Sequence, residues 1–145
     1  MKLKVDELEF LNENEEQIKL YIGKGADNYI KKWKEGKKFN IAAFLFGIMW
    51  LGYRGMYKVI LCILLILSLL DILVLFIEID FVIFAGIIIE LILGFFGNYL
   101  YFLQVKKDIL IGKRPFLNGV IGIFLSSILF FSIRFVFLYS IFYKI

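Results

Sequence analysis

The stretch FNIAAFLFGIMWLGYRGMYK, Phe39 to Lys58, decides the fold. Its apolar part, Phe39 to Tyr53, is fifteen residues long, about 22 Å of helix at ~1.5 Å per residue. A bilayer's hydrocarbon core is about 30 Å thick. The segment is therefore short for a crossing unless Arg54 and Tyr57 are drawn in. Charge placement then discriminates. With a non-crossing segment and a cytoplasmic N-terminus, Lys31, Lys32, Lys34, Lys37, Lys38, Arg54, Lys58, Lys106, Lys107, Lys113 and Arg114 all lie inside. Outside stand Glu78, Asp80 and a solitary Lys144. Cations held on the cytoplasmic side are the usual pattern of inner-membrane proteins. A crossing would carry Arg54, Lys58 and the 106–114 loop outside and dissolve the pattern. The expected topology is three spanning helices and one short non-spanning helix, N-terminus in and C-terminus out.

Composition agrees with a membrane body. Of 145 residues, 61% are hydrophobic, against about 45–50% in soluble chains, and the mean hydropathy is +0.85. The apolar excess begins at Phe39, whereas Met1–Lys38 holds nine Lys and eight acidic residues. Histidine is absent and Cys62 is the one cysteine, which removes the usual zinc, haem and cysteine–histidine arrangements. No metal and no cofactor is expected. Cys62 reads as a small hydrophobe. A basic stretch leading straight into an apolar core is missing at the N-terminus, so no secretory signal is expected.

The expected class is all-α, with a charged cytoplasmic head over 1–38, the aromatic-rich segment over 39–58 and three spans over 59–145. The spans are placed at about 59–79, 81–103 and 116–143. Glu78-Ile79-Asp80 reads as a tight turn, Gln104–Pro115 as a basic loop, and Pro115 as the opening of the last helix, where a missing N–H is tolerated. Asp71 weakens the first span by roughly 3 kcal/mol. Sixteen Leu, Ile, Val and Phe residues between Val59 and Ile77, at about −0.3 to −0.6 kcal/mol each, outweigh it.

In the head, one helix is expected from Asp6 to Ile22 and another from Ala26 to about Glu35, separated by Gly23-Lys24-Gly25. The run KKWKEGKK reads as a lipid-surface patch, its lysines Lys31, Lys32, Lys34, Lys37 and Lys38 facing an anionic leaflet and Trp33 inserting at the interface. Nucleic acid is not expected, because the head is nearly neutral overall. In the short segment Phe46, Trp50, Tyr53 and Tyr57 recur at helical spacing. With Arg54 they read as interface anchors on a re-entrant or interfacial helix.

Three buried charges stand out. Asp71, Glu90 and Arg134 lie eight or nine residues from the proposed outer ends of their helices, roughly 12–14 Å deep. Such groups pair or face a cavity. The trio reads either as an ion pair stapling the bundle with the second acid protonated, as a proton or cation relay, or with Arg134 snorkelling to lipid or a second chain. Gly86, Glu90, Gly94, Gly97, Asn98 and Tyr101 form a small, polar face of the middle helix, suited to close helix approach.

Asn40, Ala42, Ala43, Phe44, Gly47, Trp50, Tyr53, Arg54, Met56 and Tyr57, preceded by Gly23, Lys24, Ala26, Tyr29, Lys32 and Trp33, form a pattern that resembles a family of small bacterial membrane proteins known as a domain of unknown function. Gly97, Asn98 and Tyr101 resemble a later element of it. The likeness covers about residues 21–110, and Tyr-Arg-x-Met-Tyr is its most specific block. Two departures stand in this chain: Ile48 follows Gly47 where the family usually has Gly-Pro, which implies a straighter helix, and Gly25 replaces a common Asn. The resemblance implies a membrane protein and no activity.

No phosphate-cradling loop and no histidine base is present, so no enzyme is expected. The sequence points to an accessory or scaffold subunit whose partner is a membrane protein or a second copy of the chain. The alternative is a small proton- or cation-coupled transport component.

Overall fold

A computed structural model describes the backbone of residues 2–36, 39–74, 80–114 and 119–142, with side chains omitted at 71–74, 80–83, 85, 137, 138 and 140–142. Among the described residues every element is a helix: α1 Val5–Glu13, α2 Glu15–Ile22, α3 Ala26–Glu35, α4 Ile41–Tyr53, α5 Tyr57–Val74, α6 Asp80–Leu110 and α7 Gly119–Phe142.

The head has three helices where two were expected. Asn14 breaks the first (φ −111°, ψ 20°), its side-chain amide donating back to the Phe10 carbonyl at 3.0 Å, a local bond that competes with the helix. The glycine hinge before α3 is present, with Gly23 and Gly25 both at positive φ.

The middle helix runs further than expected. Instead of giving way to a loop at Gln104, α6 continues to Leu110, 31 residues in all and about 46 Å long. It ends where Gly112 takes φ 64°, with Gly112 N–H donating to Ile109 O and Lys113 N–H to Asp108 O. This paired termination needs a left-handed residue, which glycine adopts without a Cβ penalty. The last third of α6 carries the head: Phe10 meets Phe102 edge-on, Tyr99 Oη donates to Glu7 Oε1 at 2.9 Å and Tyr21 Oη to Asp108 Oδ2 at 2.6 Å.

The short segment folds back on itself. α4 is interrupted at Gly47, whose φ 40° and ψ −111° are not helical. The missing proline therefore does not leave a straight helix, since glycine alone reaches this conformation. Asn40 N–H donates to Gly94 O, Gly47 lies beside Glu90, and Gly55 O accepts from Gln104 Nε2 at 3.1 Å. Measured along α6, the chain thus moves from the level of Gly94–Asn98 to Glu90 and returns to Gln104. A second glycine termination, at Gly55 (φ 67°), has Met56 N–H on Leu51 O and Gly55 N–H on Gly52 O, and turns the chain into α5.

This hairpin is wedged between α6 and α7. Gly94 and Gly97 admit Phe39, Phe44, Ala43 and Trp50, while Gly119, Gly122 and Ser126 of α7 admit Tyr53 and the backbone at Gly52. The small face expected on the middle helix is the face that receives the hairpin. α5 contributes Ile60, Ile63, Leu64 and Leu67 to the same core. Among the described residues, two helices are long and apolar enough to cross a membrane, Gly86–Leu110 within α6 and Gly119–Val136 within α7. Glu78 and Ile79 of the expected turn, and Pro115, lie outside the described residues, and Asp80 opens α6.

Candidate functional site

Polar groups converge where α3, the hairpin and α6 meet. Asn40 and Asn98 are 2% and 3% exposed, and Asn40 Nδ2 donates to Asn98 Oδ1 at 2.9 Å. Asn40 Oδ1 also accepts from Ala43 N–H, capping α4. One asparagine side chain therefore both starts the hairpin and ties it to α6. From the head, Trp33 Nε1 donates to the Asn98 carbonyl at 2.8 Å. A buried polar group costs about 1–3 kcal/mol when left unpaired, so these bonds fix three elements in one register.

A guanidinium sits next to this node. Arg54 lies over the rings of Tyr29, Tyr53 and Tyr101, at 4.5, 4.9 and 5.0 Å from their centroids. Tyr29 comes from the head, Tyr53 from the hairpin and Tyr101 from α6. Arg54 has no carboxylate partner among the described residues, and its Nε is buried without a hydrogen bond. The ring faces supply the compensating negative potential. Trp50 joins the cluster, edge-on to Tyr101 and with its indole N–H 3.4 Å from Tyr29 Oη.

Residues 8–107 match the family model described as a protein of unknown function, DUF2628. The chain belongs to this family. No curated protein and no solved structure matches it. The DUF2628 match spans the head, the hairpin, α5 and nearly all of α6, and so includes the whole Asn98 and Arg54 node.

Two of the six expected interface anchors are buried. Trp33 and Trp50 are 3% and 5% exposed; both are held inside the protein rather than against lipid, because each indole N–H has a protein acceptor. The break at Gly47 also separates Phe46 from Trp50, Tyr53 and Tyr57, so the four aromatics do not share one helical face. Phe46 and Tyr53 are exposed, and Arg54 and Tyr57 are half-buried.

The basic run is also partly neutralised. Lys34 pairs with Glu15 at 2.7 Å and Lys31 with Glu35 at 3.9 Å, whereas Lys32 lies 5.7 Å from the Tyr29 ring. Lys37 and Lys38 lie outside the described residues. Hydrogen bonds from Lys34 and then Lys19 hold the Glu15 carboxyl down at about 2. Burial, followed by the bond to Asp108, pushes the Tyr21 phenol well above its ordinary value.

Of the charged trio, Glu90 is exposed and makes no hydrogen bond or ion pair among the described residues. It lines a mostly apolar cavity of about 440 Å³ with the hairpin tip, Gly86, Ser127 and Phe130. Arg134 is half-buried. The side chain of Asp71 lies outside the described residues, and Glu90 stands at the hairpin tip beside Gly47. Charge periodicity gave no signal for the Arg54 cage, because Arg54 lies in an apolar run with no acid at helical spacing.

Proposed function

We propose that this DUF2628 chain is a three-span membrane protein with a re-entrant hairpin, acting as a non-enzymatic scaffold or accessory subunit. One observation carries the reading: the head is locked to the membrane helices through Asn98 and Arg54, and so presents a fixed polar surface at the bilayer. Several features support the membrane placement. Leu65, Leu69, Phe84, Phe124, Phe131 and Phe135 are each more than 60% exposed, a breadth of apolar surface that soluble monomers rarely show. A 30 Å hydrocarbon layer starting near Asp80 ends about 20 residues along α6, near Leu100, where the head begins. Both ends of the hairpin then lie on the head's side, with Lys58, Lys106, Lys107, Lys113 and Arg114, which the positive-inside rule assigns to the cytoplasm.

Cysteine labelling tests this topology in a Cys62→Ser background. Lys113→Cys should resist an impermeant thiol reagent added outside, and Lys144→Cys should react. Labelling of Lys113→Cys from outside would refute the three-span arrangement.

The exposed Glu90 carboxylate beside the broken hairpin favours a second reading, proton- or cation-coupled transport. In proteoliposomes Glu90→Gln should abolish flux under that reading. Flux equal to that of the parent chain would end it.

A further inference from the structure

At the end of the bundle that carries the head, two cavities share a wall. The smaller, about 160 Å³, is lined by Arg54, Tyr21, Tyr53 and Tyr101. The larger, about 400 Å³, is lined by Lys58, Lys107, Tyr57 and Ile111. Gly55, Gln104, Asp108 and Lys113 line both. Four cations thus face two adjoining cavities with one acid, and that acid already accepts a bond from Tyr21.

These cations differ from four lysines elsewhere in the chain. Lys19, Lys31, Lys34 and Lys106 each have a carboxylate partner, but Lys58, Lys107 and Lys113 form no ion pair among the described residues. Arg54 Nε is buried without a partner beside them. Like charges gathered around a concavity repel one another and concentrate anions there. The apolar rim identifies which anion. Ile111, in the wall of the larger cavity, is 63% exposed, and Leu61, one turn into α5, is 48% exposed. A ligand with a charged head and an apolar tail satisfies both parts.

The geometry points to a site for the phosphate headgroup of one anionic phospholipid, held by Lys58, Lys107 and Lys113 with Arg54 behind them. Its acyl chains run along α5 toward the hydrocarbon layer. The inference rests on the reading of α5 and α6 as spans, which places this cavity at headgroup depth.

Native mass spectrometry of the full chain in neutral detergent, titrated with dioctanoyl phosphatidylglycerol, tests it. One lipid should be retained, at least about tenfold more tightly than dioctanoyl phosphatidylcholine. Lys58→Gln, Lys107→Gln and Lys113→Gln should each weaken it roughly fivefold, the order expected for one lysine at an anionic surface. Lys107→Arg should keep the affinity, and Lys31→Gln, whose lysine is already paired, should leave it unchanged. These side chains are exposed or half-exposed, and an unchanged circular dichroism spectrum confirms that the variants fold. Equal retention of phosphatidylcholine, or undiminished binding by the triple glutamine variant, would overturn the site. Displacement of the lipid by equimolar glycerol 3-phosphate would overturn the lipid as its ligand. Thiol labelling of Lys113→Cys reports topology separately, so a failed titration with the expected labelling counts against the site alone.

Discussion

Gly122 is where the hairpin and α7 approach most closely, and Gly122→Ala is the sharpest perturbation of that contact. A Cβ there would run into the Gly52 carbonyl oxygen and lie 2.9 Å from its carbon, with Tyr57 Oη at 3.1 Å. The obstacle is mainly backbone, so a side-chain rotation cannot relieve it. Carbon–oxygen contacts settle near 3.3–3.6 Å, and α7 must therefore retreat by on the order of 1 Å. A gap of that size forfeits about a quarter to a half of each contact it opens. Overpacking of this kind costs typically 1–3 kcal/mol, offset in part by the ~1 kcal/mol that alanine gains over glycine in a helix. A net destabilisation of up to about 2 kcal/mol follows. Gly86→Ala is the control, because a Cβ there meets nothing within 4 Å; it should be neutral or stabilising by up to ~1 kcal/mol. Thermal unfolding in detergent separates them, at roughly 2–4 °C per kcal/mol for a chain of this size. A Gly122→Ala midpoint at or above that of Gly86→Ala would refute the packing of the hairpin against α7.

Other consequences are equally direct. Asn98→Ala strands Asn40 Nδ2 and should cost about 1–3 kcal/mol; the Asn40→Ala, Asn98→Ala cycle should be non-additive by about 1 kcal/mol or more, and strict additivity would deny their bond. Arg54→Lys keeps the charge but loses the flat group that lies over three rings, and should destabilise by about 1 kcal/mol, read as a lower unfolding midpoint. Because the carboxyl pKa of Glu15 is depressed in the folded chain, its pairing is fully present above its ordinary value of 4.5 and lost as pH falls toward about 2. An NMR titration should place its midpoint near 2, and a midpoint near 4.5 would contradict the bonds from Lys34 and Lys19.

Much of the architecture was legible from spacing alone. Gly94, Gly97 and Asn98 stood out as a face too small for anything but close approach, and the shortness of Phe39–Tyr53 set that segment apart from the spans. What could not be read was which partner filled the face. The obstacle is physical: an indole at helical spacing looks the same whether lipid or protein surrounds it. Trp33 and Trp50 were assigned to the interface on that ground, yet the carbonyl of Asn98 and the hydroxyl of Tyr29 take them inside. The extension of α6 through Lys106 and Lys107 was hidden by their charge, although Gly112 two residues beyond Leu110 marks the termination. Ion pairing across the head, such as Lys34 with Glu15, joins residues nineteen positions apart, beyond the reach of any helical periodicity.

The topology turns on the path of residues 39–58, and spin labels at exposed positions report it most directly. Labels replacing Ile41, Phe46 and Tyr53, all more than 40% exposed, can be compared by power saturation with oxygen and a polar nickel chelate in liposomes. The hairpin predicts a depth that rises from 41 to 46 and falls again by 53. A depth that changes steadily in one direction from 41 to 53 would mean that the segment traverses, and would contradict the fold-back at Gly47 on which the topology rests.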